Sequence, residues 1–404
     1  MSSPSVHSGD KSSHKVVIVG GGTAGISVAA RLMRAVGDID IALIEPSDKH
    51  YYQPLWTLVG GGVCDKAESM RDESSLIPTG VKWIKDRVVD VKPESNVVKI
   101  SSGEEIHYDY LVLAPGLQID WHKIKGLPET MGKNGVCSNY SYEQVDGTWR
   151  TINSFKGGTA IFTQPNTPVK CGGAPQKIAY LAEETFKNNG VKDRTHIVFA
   201  SANASIFSVR KYAQTLDKVI ARKNIETMFR NDLIEINGPE HWALFKHLDT
   251  GVETKLHFDM IHVTPPMSAP DFIKQSKVAD AAGWVDVDKA TLRHNKYTNI
   301  FALGDCSNLP TSKTGAAIRK QSPVVVANLV SLMRNQPLSV EYDGYTSCPL
   351  VTGYNSLVLA EFDYDLQPQE SFPFDQSEER YSMYVFKKDV LPQIYWYGMM
   401  KGLV

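Results

Sequence analysis

Short unbroken apolar runs recur along the chain. Lys15–Val19 (KVVIV) and Ile41–Glu45 (IALIE) have the pattern of strands buried on both faces. Between them, from about Thr23 to Val36, the apolar positions fall at helical spacing behind a glycine-rich turn. Residues 81–113 read as strands and a turn. Residues 158–200 read as strand (TAIFT), loop, helix (PQKIAYLAEETFKNN) and strand (THIVFA). Further strands are predicted over 231–264. NIFALGDC then reads as strand into turn, and TGAAIRKQSPVVVANLVSLM as a long helix. Strands alternating with helices predict an α/β fold with parallel sheets in two Rossmann-like domains. The first takes residues 15–145 and 285–340, and the second takes 146–284. A C-terminal segment, 341–404, is rich in Tyr, Phe and Pro, and a Ser-rich stretch, 1–14, is predicted to be disordered.

The chain has 404 residues, enough for two or three domains. Lys+Arg number 43 and Asp+Glu 45, a balance that argues against nucleic acid as a partner. No apolar run reaches the roughly 18 residues of a membrane span. The five cysteines are scattered without CxxC spacing, so neither a disulfide framework nor a metal site is expected.

Gly20-Gly21-Gly22-Thr23-Ala24-Gly25 matches G-x-G-x-x-G between a buried strand and a helix. Gly20 permits the tight turn, Gly22 lets a pyrophosphate approach the backbone, and Gly25 lets the helix pack on the strand. Thr23 opens a helix whose free N–H groups and dipole face the phosphates. Glu45 ends the next strand, placed to bind both hydroxyls of an adenosine ribose.

Two later segments speak to which dinucleotide. Tyr110–Gly116 (YLVLAPG) resembles the second turn of two-dinucleotide-domain flavoproteins, and Ile300–Cys306 (IFALGDC) resembles their Gly-Asp motif. The resemblance implies FAD, with contacts at Gln53, Val88, Ala114, Gly116 and Asp305. It also places the helix opened by Lys313-Thr314-Gly315 at the flavin. There the dipole and Lys313 would stabilise reduced flavin. Related enzymes that use NAD(P)H carry a second G-x-G-x-x-G. The corresponding turn is expected at Thr195–Ile206, where no glycine stands, so NAD(P)H is not expected as electron donor.

Cys171 lies just before a helix among lysines, a setting that favours a thiolate. Cys348 lies in the other half of the chain. Taken alone, each reads as an inert buried thiol. Six segments change this: VIVGGGTAGISVAARL, PNTPVKCGGAPQKIAYL, HVTPPMSAPD, VADAAGWVDVDK, GDCSNLPTSKTGAA and YDGYTSCPLVTGY. Residues 15–400 resemble the sulfide:quinone oxidoreductase family of the mitochondrial type. The resemblance implies that Cys171 and Cys348 are redox cysteines, Cys171 on the flavin side and Cys348 carrying the persulfide. It implies oxidation of hydrogen sulfide, reduction of ubiquinone, and transfer of sulfane sulfur to glutathione or sulfite. It also implies a peripheral place on the matrix face of the mitochondrial inner membrane. Cys306 reads as a packing residue. Cys64 has no assigned role, and Cys137 stands near where bacterial relatives carry a third cysteine.

The aromatic, Met- and Lys-bearing stretch 381–404 reads as a monotopic membrane contact or as a domain interface. Phe362 and Tyr395 are candidates for touching the quinone ring. Arg319-Lys320 is expected either in solvent or at the quinone region. The alternatives are a type II NADH:quinone oxidoreductase, a sulfide dehydrogenase subunit serving a cytochrome, and a non-enzymatic flavin-binding protein. The first needs the second glycine turn, the second a secretory signal, and the third has no use for the cysteine pair.

Overall fold

The computed structural model describes residues 12–404. Residues 1–11, most of the stretch expected to be disordered, lie outside the described part. Ser13 and His14 do not belong to that stretch, because they pair with His107 and Tyr108 as the start of the first strand.

The main sheet is built from β1 (Ser13–Val19), β2 (Ile41–Ile44), β3 (Val81–Ile84), β4 (Val88–Lys92), β5 (Val97–Ile100) and β6 (Glu105–Leu113). Their order is β3-β2-β1-β6-β5-β4. The first four pair in parallel, and β4–β5–β6 is an antiparallel meander. Val16–Ile18, Ile41–Leu43 and Leu111–Leu113 have no exposed surface, as unbroken apolar strands covered on both faces should. One cover is α1 (Thr23–Val36), whose Ile26, Val28, Ala29 and Leu32 turn inward.

A second sheet holds β7 (Val136–Cys137), β8 (Gly158–Gln164), β9 (Thr195–Ser201), β10 (Ile225–Phe229) and β11 (Met260–His262). All are parallel, in the order β7-β11-β8-β9-β10. Helix α2 (Ala174–Asn188) joins β8 to β9, and α3 (Arg210–Lys223) joins β9 to β10. The chain then returns to the far side of β8 through an antiparallel three-stranded sheet over 231–257. The main sheet is completed by β12 (Ile300–Ala302), parallel to β6, and α4 (Gly315–Met333) packs on α1.

This order corrects one expectation. The switch point of the second sheet lies at β8, between β9 and β11, and ligands in such sheets sit beside the carboxyl end of that strand. The counterpart of the fingerprint turn is therefore the β8–α2 connection, residues 165–173, and not residues 195–206. Sequence proximity to a second apolar strand misled because both strands look alike in isolation.

The C-terminal segment opens with an antiparallel hairpin, β13 (Thr346–Gly353) and β14 (Ser356–Phe362), laid on α2. Residues 381–401 then form a string of helical turns, two of them of the wide π type. None of the helices in the described residues is long and apolar enough to cross a membrane.

Candidate active site

A cavity of about 400 Å³ runs between the two sheets and the C-terminal segment. Thr23, directly after the turn from β1 to α1, lines it. Gly20 has φ +100°, and a Cβ there would drive into the Ala114 carbonyl. The two turns thus touch, and the Ala114 N–H bonds Val19 O at 2.9 Å. A Cβ at Gly25 would drive into the Gly20 carbonyl, whereas Gly22 has nothing within 4 Å of its Cβ position. Helix α1 has no side-chain cap, so its first N–H groups are left for a ligand. The Glu45 carboxylate receives the N–H groups of Gly21 and Ser47, each at 2.8 Å. It pins the turn and retains lone pairs for further donors.

On the cavity wall, Asp305 follows β12 and takes no hydrogen bond from the described residues. Burial pushes its pKa up, opposed by the ammonium groups of Lys313 and Lys170. Such an unpartnered carboxyl group asks for a ligand. The Lys313 ammonium donates to Ser307 O at 3.0 Å and lies 4.0 Å from the Trp284 ring centroid. Burial lowers its pKa, opposed chiefly by Asp305. Thr314 caps α4 by accepting the Ala317 N–H at 3.1 Å. Gln53 Oε1 accepts from Lys170 Nζ at 2.8 Å. An open glycine turn, uncapped helix amides and an orphaned carboxyl group fit an FAD. Thr23, Gln53, Asp305 and Lys313 line the cavity. Ala114 and Gly116 form the neighbouring turn, and Val88 is buried in β4, paired with Ile100 and away from the lining.

The β8–α2 connection brings Cys171 to the same cavity. Cys171 has φ +56°, a left-handed conformation that costs a non-glycine residue about 1–3 kcal/mol. Two backbone bonds hold it there: Cys171 N–H to Lys313 O at 2.8 Å, and Ala174 N–H to Cys171 O at 2.7 Å. Its sulfur lies 3.7 Å from that of Cys348, which β13 carries from 177 residues away. Lys177 Nζ, in the first turns of α2, donates to Cys171 Sγ at 3.4 Å. The Cys348 hydrogen bond and the Lys177 charge hold the Cys171 thiol well below its ordinary pKa, against burial. The bond to Cys171, together with burial, pushes Cys348 well up. Cys171 is therefore the thiolate of the pair.

The other three thiols stand differently. Cys306 is fully buried, and its sulfur contacts Leu113 O at 3.4 Å. Cys137 is buried in β7, and Cys64 is half-buried. Burial pushes all three up to about 12, and none lines the cavity.

The turn that would take a second dinucleotide is filled. Nine residues separate β8 from α2, against three between β1 and α1. A Cβ at Gly173 would drive into the Leu350 side chain of β13, so the hairpin covers the start of α2.

Apolar side chains also line the cavity, among them Ile318, Leu359, Phe372, Phe386, Leu391 and Ile394. Arg319 lines it, while Lys320 is exposed. Both cations face the Tyr345 ring, at 6.0 and 5.6 Å. Phe362 does not line the cavity; it packs against Phe207 at 5.8 Å. Tyr395 does line it, beside Tyr52. The sequence reading missed Lys387, whose ammonium donates to Pro54 O at 2.9 Å and lines the cavity. It also missed the specific place of Lys177. A lysine six residues beyond a cysteine, at a helix start, was the available signal.

Comparison with known proteins places this geometry. Residues 14–155 match the pyridine nucleotide-disulphide oxidoreductase family. The chain is 50% identical over 393 residues to a mitochondrial sulfide:quinone oxidoreductase of Mus musculus, covering 97% of this chain and 87% of that protein. It is also 50% identical to one from Dictyostelium discoideum, covering 96% and 86%. The solved sulfide:quinone oxidoreductase of Aquifex aeolicus shares the fold, with a TM-score of 0.84 at 20% identity over 96% of this chain and 92% of that one.

Proposed function

The chain belongs to the mitochondrial-type sulfide:quinone oxidoreductase family, and we propose that it oxidises sulfide and reduces a quinone with Cys171 and Cys348 as its redox pair. The observation that carries this reading is the pair itself: two sulfurs 3.7 Å apart, from opposite halves of the chain, on the cavity that also holds Asp305 and the fingerprint helix.

FAD, held by the β1–α1 turn, Glu45, Asp305 and Lys313, supplies an electron acceptor for the thiols and a donor for the quinone. The sulfur chemistry belongs to the chain. In the oxidised pair the two cysteines are bridged through sulfur. Hydrosulfide attacks on the Cys348 side; an S–S bond forms there, and the bond to Cys171 breaks. The electron pair of that bond stays on Cys171 sulfur, where Lys177 stabilises it. Cys348 is left as a persulfide. A small thiol such as glutathione, or sulfite, attacks the outer sulfur and carries it off. Re-forming the bridge from the two thiolates releases two electrons.

The apolar part of the cavity lining suits a quinone ring, and the exposed side chains of the C-terminal segment suit a membrane surface. Tyr381, Val390, Tyr397 and Leu403 stand out there. The relatives are named mitochondrial, and we place this chain at the matrix face of the inner membrane, as a peripheral protein.

The test is anaerobic flavin absorbance, with sulfide added to one sample and NADH to another. Sulfide alone should bleach the flavin. Bleaching by NADH alone would overturn the reading in favour of an NADH:quinone oxidoreductase, despite Leu350 over the second turn.

A further inference from the structure

One network touches the fingerprint turn from the opposite end of the chain. Tyr395 is 3% exposed, and its hydroxyl meets two partners: Thr23 Oγ1 at 2.8 Å and His50 Nε2 at 2.5 Å. His50 is itself buried, with Nδ1 3.1 Å from Gly21 O and 3.3 Å from Glu73 Oε2. The Nδ1–H tautomer donates to that side, so Nε2 accepts the phenol proton. The Tyr395 oxygen is left with lone pairs toward Thr23 and the cavity. The Tyr395 ring lies 4.4 Å from that of Tyr52, so its position does not depend on the hydroxyl. A buried hydroxyl and imidazole cost stability unless they serve a partner. Ring packing alone would be met by phenylalanine.

The same segment grips α1 a second time. Gly402 has φ +67°, and a Cβ there would lie 2.8 Å from Arg31 N and 2.9 Å from Ala30 C. The last turns of the chain therefore lie directly on the helix whose first residue is Thr23.

We propose that Tyr395 is a positioning residue of the dinucleotide site: the C-terminal segment closes the cavity over the start of α1, and the Tyr395 hydroxyl, bonded to both His50 and Thr23, holds the fingerprint turn and the free N–H groups of α1 in place for the FAD pyrophosphate. This rests on the reading of the cavity as an FAD site. It goes further in making cofactor retention depend on the docking of the C-terminal segment, which the same segment's role at a membrane or quinone does not require.

The experiment measures FAD itself. Apoprotein is titrated with FAD by flavin fluorescence, and FAD release from the holoprotein is timed after dilution. Tyr395→Phe keeps the ring stack and should weaken FAD by about tenfold, the worth of one hydrogen bond that positions the turn. The apoprotein should melt somewhat lower, because the buried His50 Nε2 loses its donor, and the proposal requires that FAD affinity fall as well. Gly402→Ala, with Tyr395 intact, should speed FAD release by lifting the segment from α1. Tyr397→Phe, 65% exposed, is the control and should do neither. Tyr395→Phe that binds and releases FAD like wild type overturns the proposal. So does a variant whose apoprotein melts lower while its FAD affinity is unchanged, since that is a packing role. Wild type that takes up no FAD overturns both this and the catalytic reading. Wild type that takes up FAD but leaves sulfide unoxidised overturns only the latter.

Discussion

Lys177 Nζ stands 3.4 Å from Cys171 Sγ, on the helix that begins three residues after that cysteine. The lysine is 5% exposed, so its charge acts with little screening by water. The pair makes the first cysteine a thiolate and a good leaving group. Lys177→Met should raise the Cys171 pKa and slow its alkylation at neutral pH, by about tenfold. Mass-spectrometric timing of iodoacetamide labelling at the Cys171 peptide across pH measures this. An unshifted profile would mean that the Cys348 hydrogen bond alone holds the thiolate.

The two cysteines should be separable from the cofactor. Cys171→Ser or Cys348→Ser removes one sulfur and leaves the β1–α1 turn, Asp305 and Lys313 in place. Sulfide-dependent quinone reduction should fall by about three orders of magnitude or more, as for loss of a nucleophile acting in a unit. The flavin content of the purified protein should match wild type. Retention of full turnover by either variant would sink the thiol relay.

Two glycines of one motif should fail in different ways. Gly25 abuts the Gly20 carbonyl, whereas Gly22 faces open space. Gly25→Ala should lower the stability of the apoprotein by about 1–3 kcal/mol through overpacking. Gly22→Ala should leave apoprotein melting unchanged and weaken FAD, because the added methyl occupies the ligand's approach. Thermal melts with and without added FAD separate the two. Equal losses in the apoprotein would mean that Gly22 is only a folding residue.

The local reading of the sequence reached much of this. β1, α1, β2 and α2 were legible because unbroken apolar runs and helical spacing are short-range signals. The fingerprint was legible because its glycines have separate steric reasons. Which loop of the second sheet answers to the first was not legible. That depends on strand order, and β8 and β9 carry the same apolar pattern. The meeting of Cys171 with Cys348 was also beyond spacing, since 177 residues and a sheet crossover lie between them; it came from resemblance. Tyr395 was read as a membrane or quinone aromatic. Its bonds to Thr23 and His50 span 372 and 345 residues, and no periodicity reports contacts of that range.

Lys387 carries the last prediction. It sits 3% exposed against Tyr52 and Pro54, facing the Lys177 ammonium and the thiols of Cys171 and Cys64. Burial, reinforced by Lys177, pulls its pKa down to about 7, against 10.5 for an ordinary lysine. Between those values the unfolded chain holds one more proton than the folded chain. Raising the pH through that window therefore stabilises the fold. The burial cost is fully present below about pH 7 and has gone above about 10.5. Lys387→Met abolishes this dependence, since it has nothing to titrate. The stability difference between wild type and Lys387→Met should shift in favour of wild type by up to roughly 4 kcal/mol as pH rises across the window. Urea denaturation of both proteins at about pH 7, 8.5 and 10 measures it. A pH-independent difference would show that Lys387 keeps its proton in the cavity, held there by the Cys171 thiolate. The lysine would then be a fixed charge at the site, one that does not titrate near neutral pH.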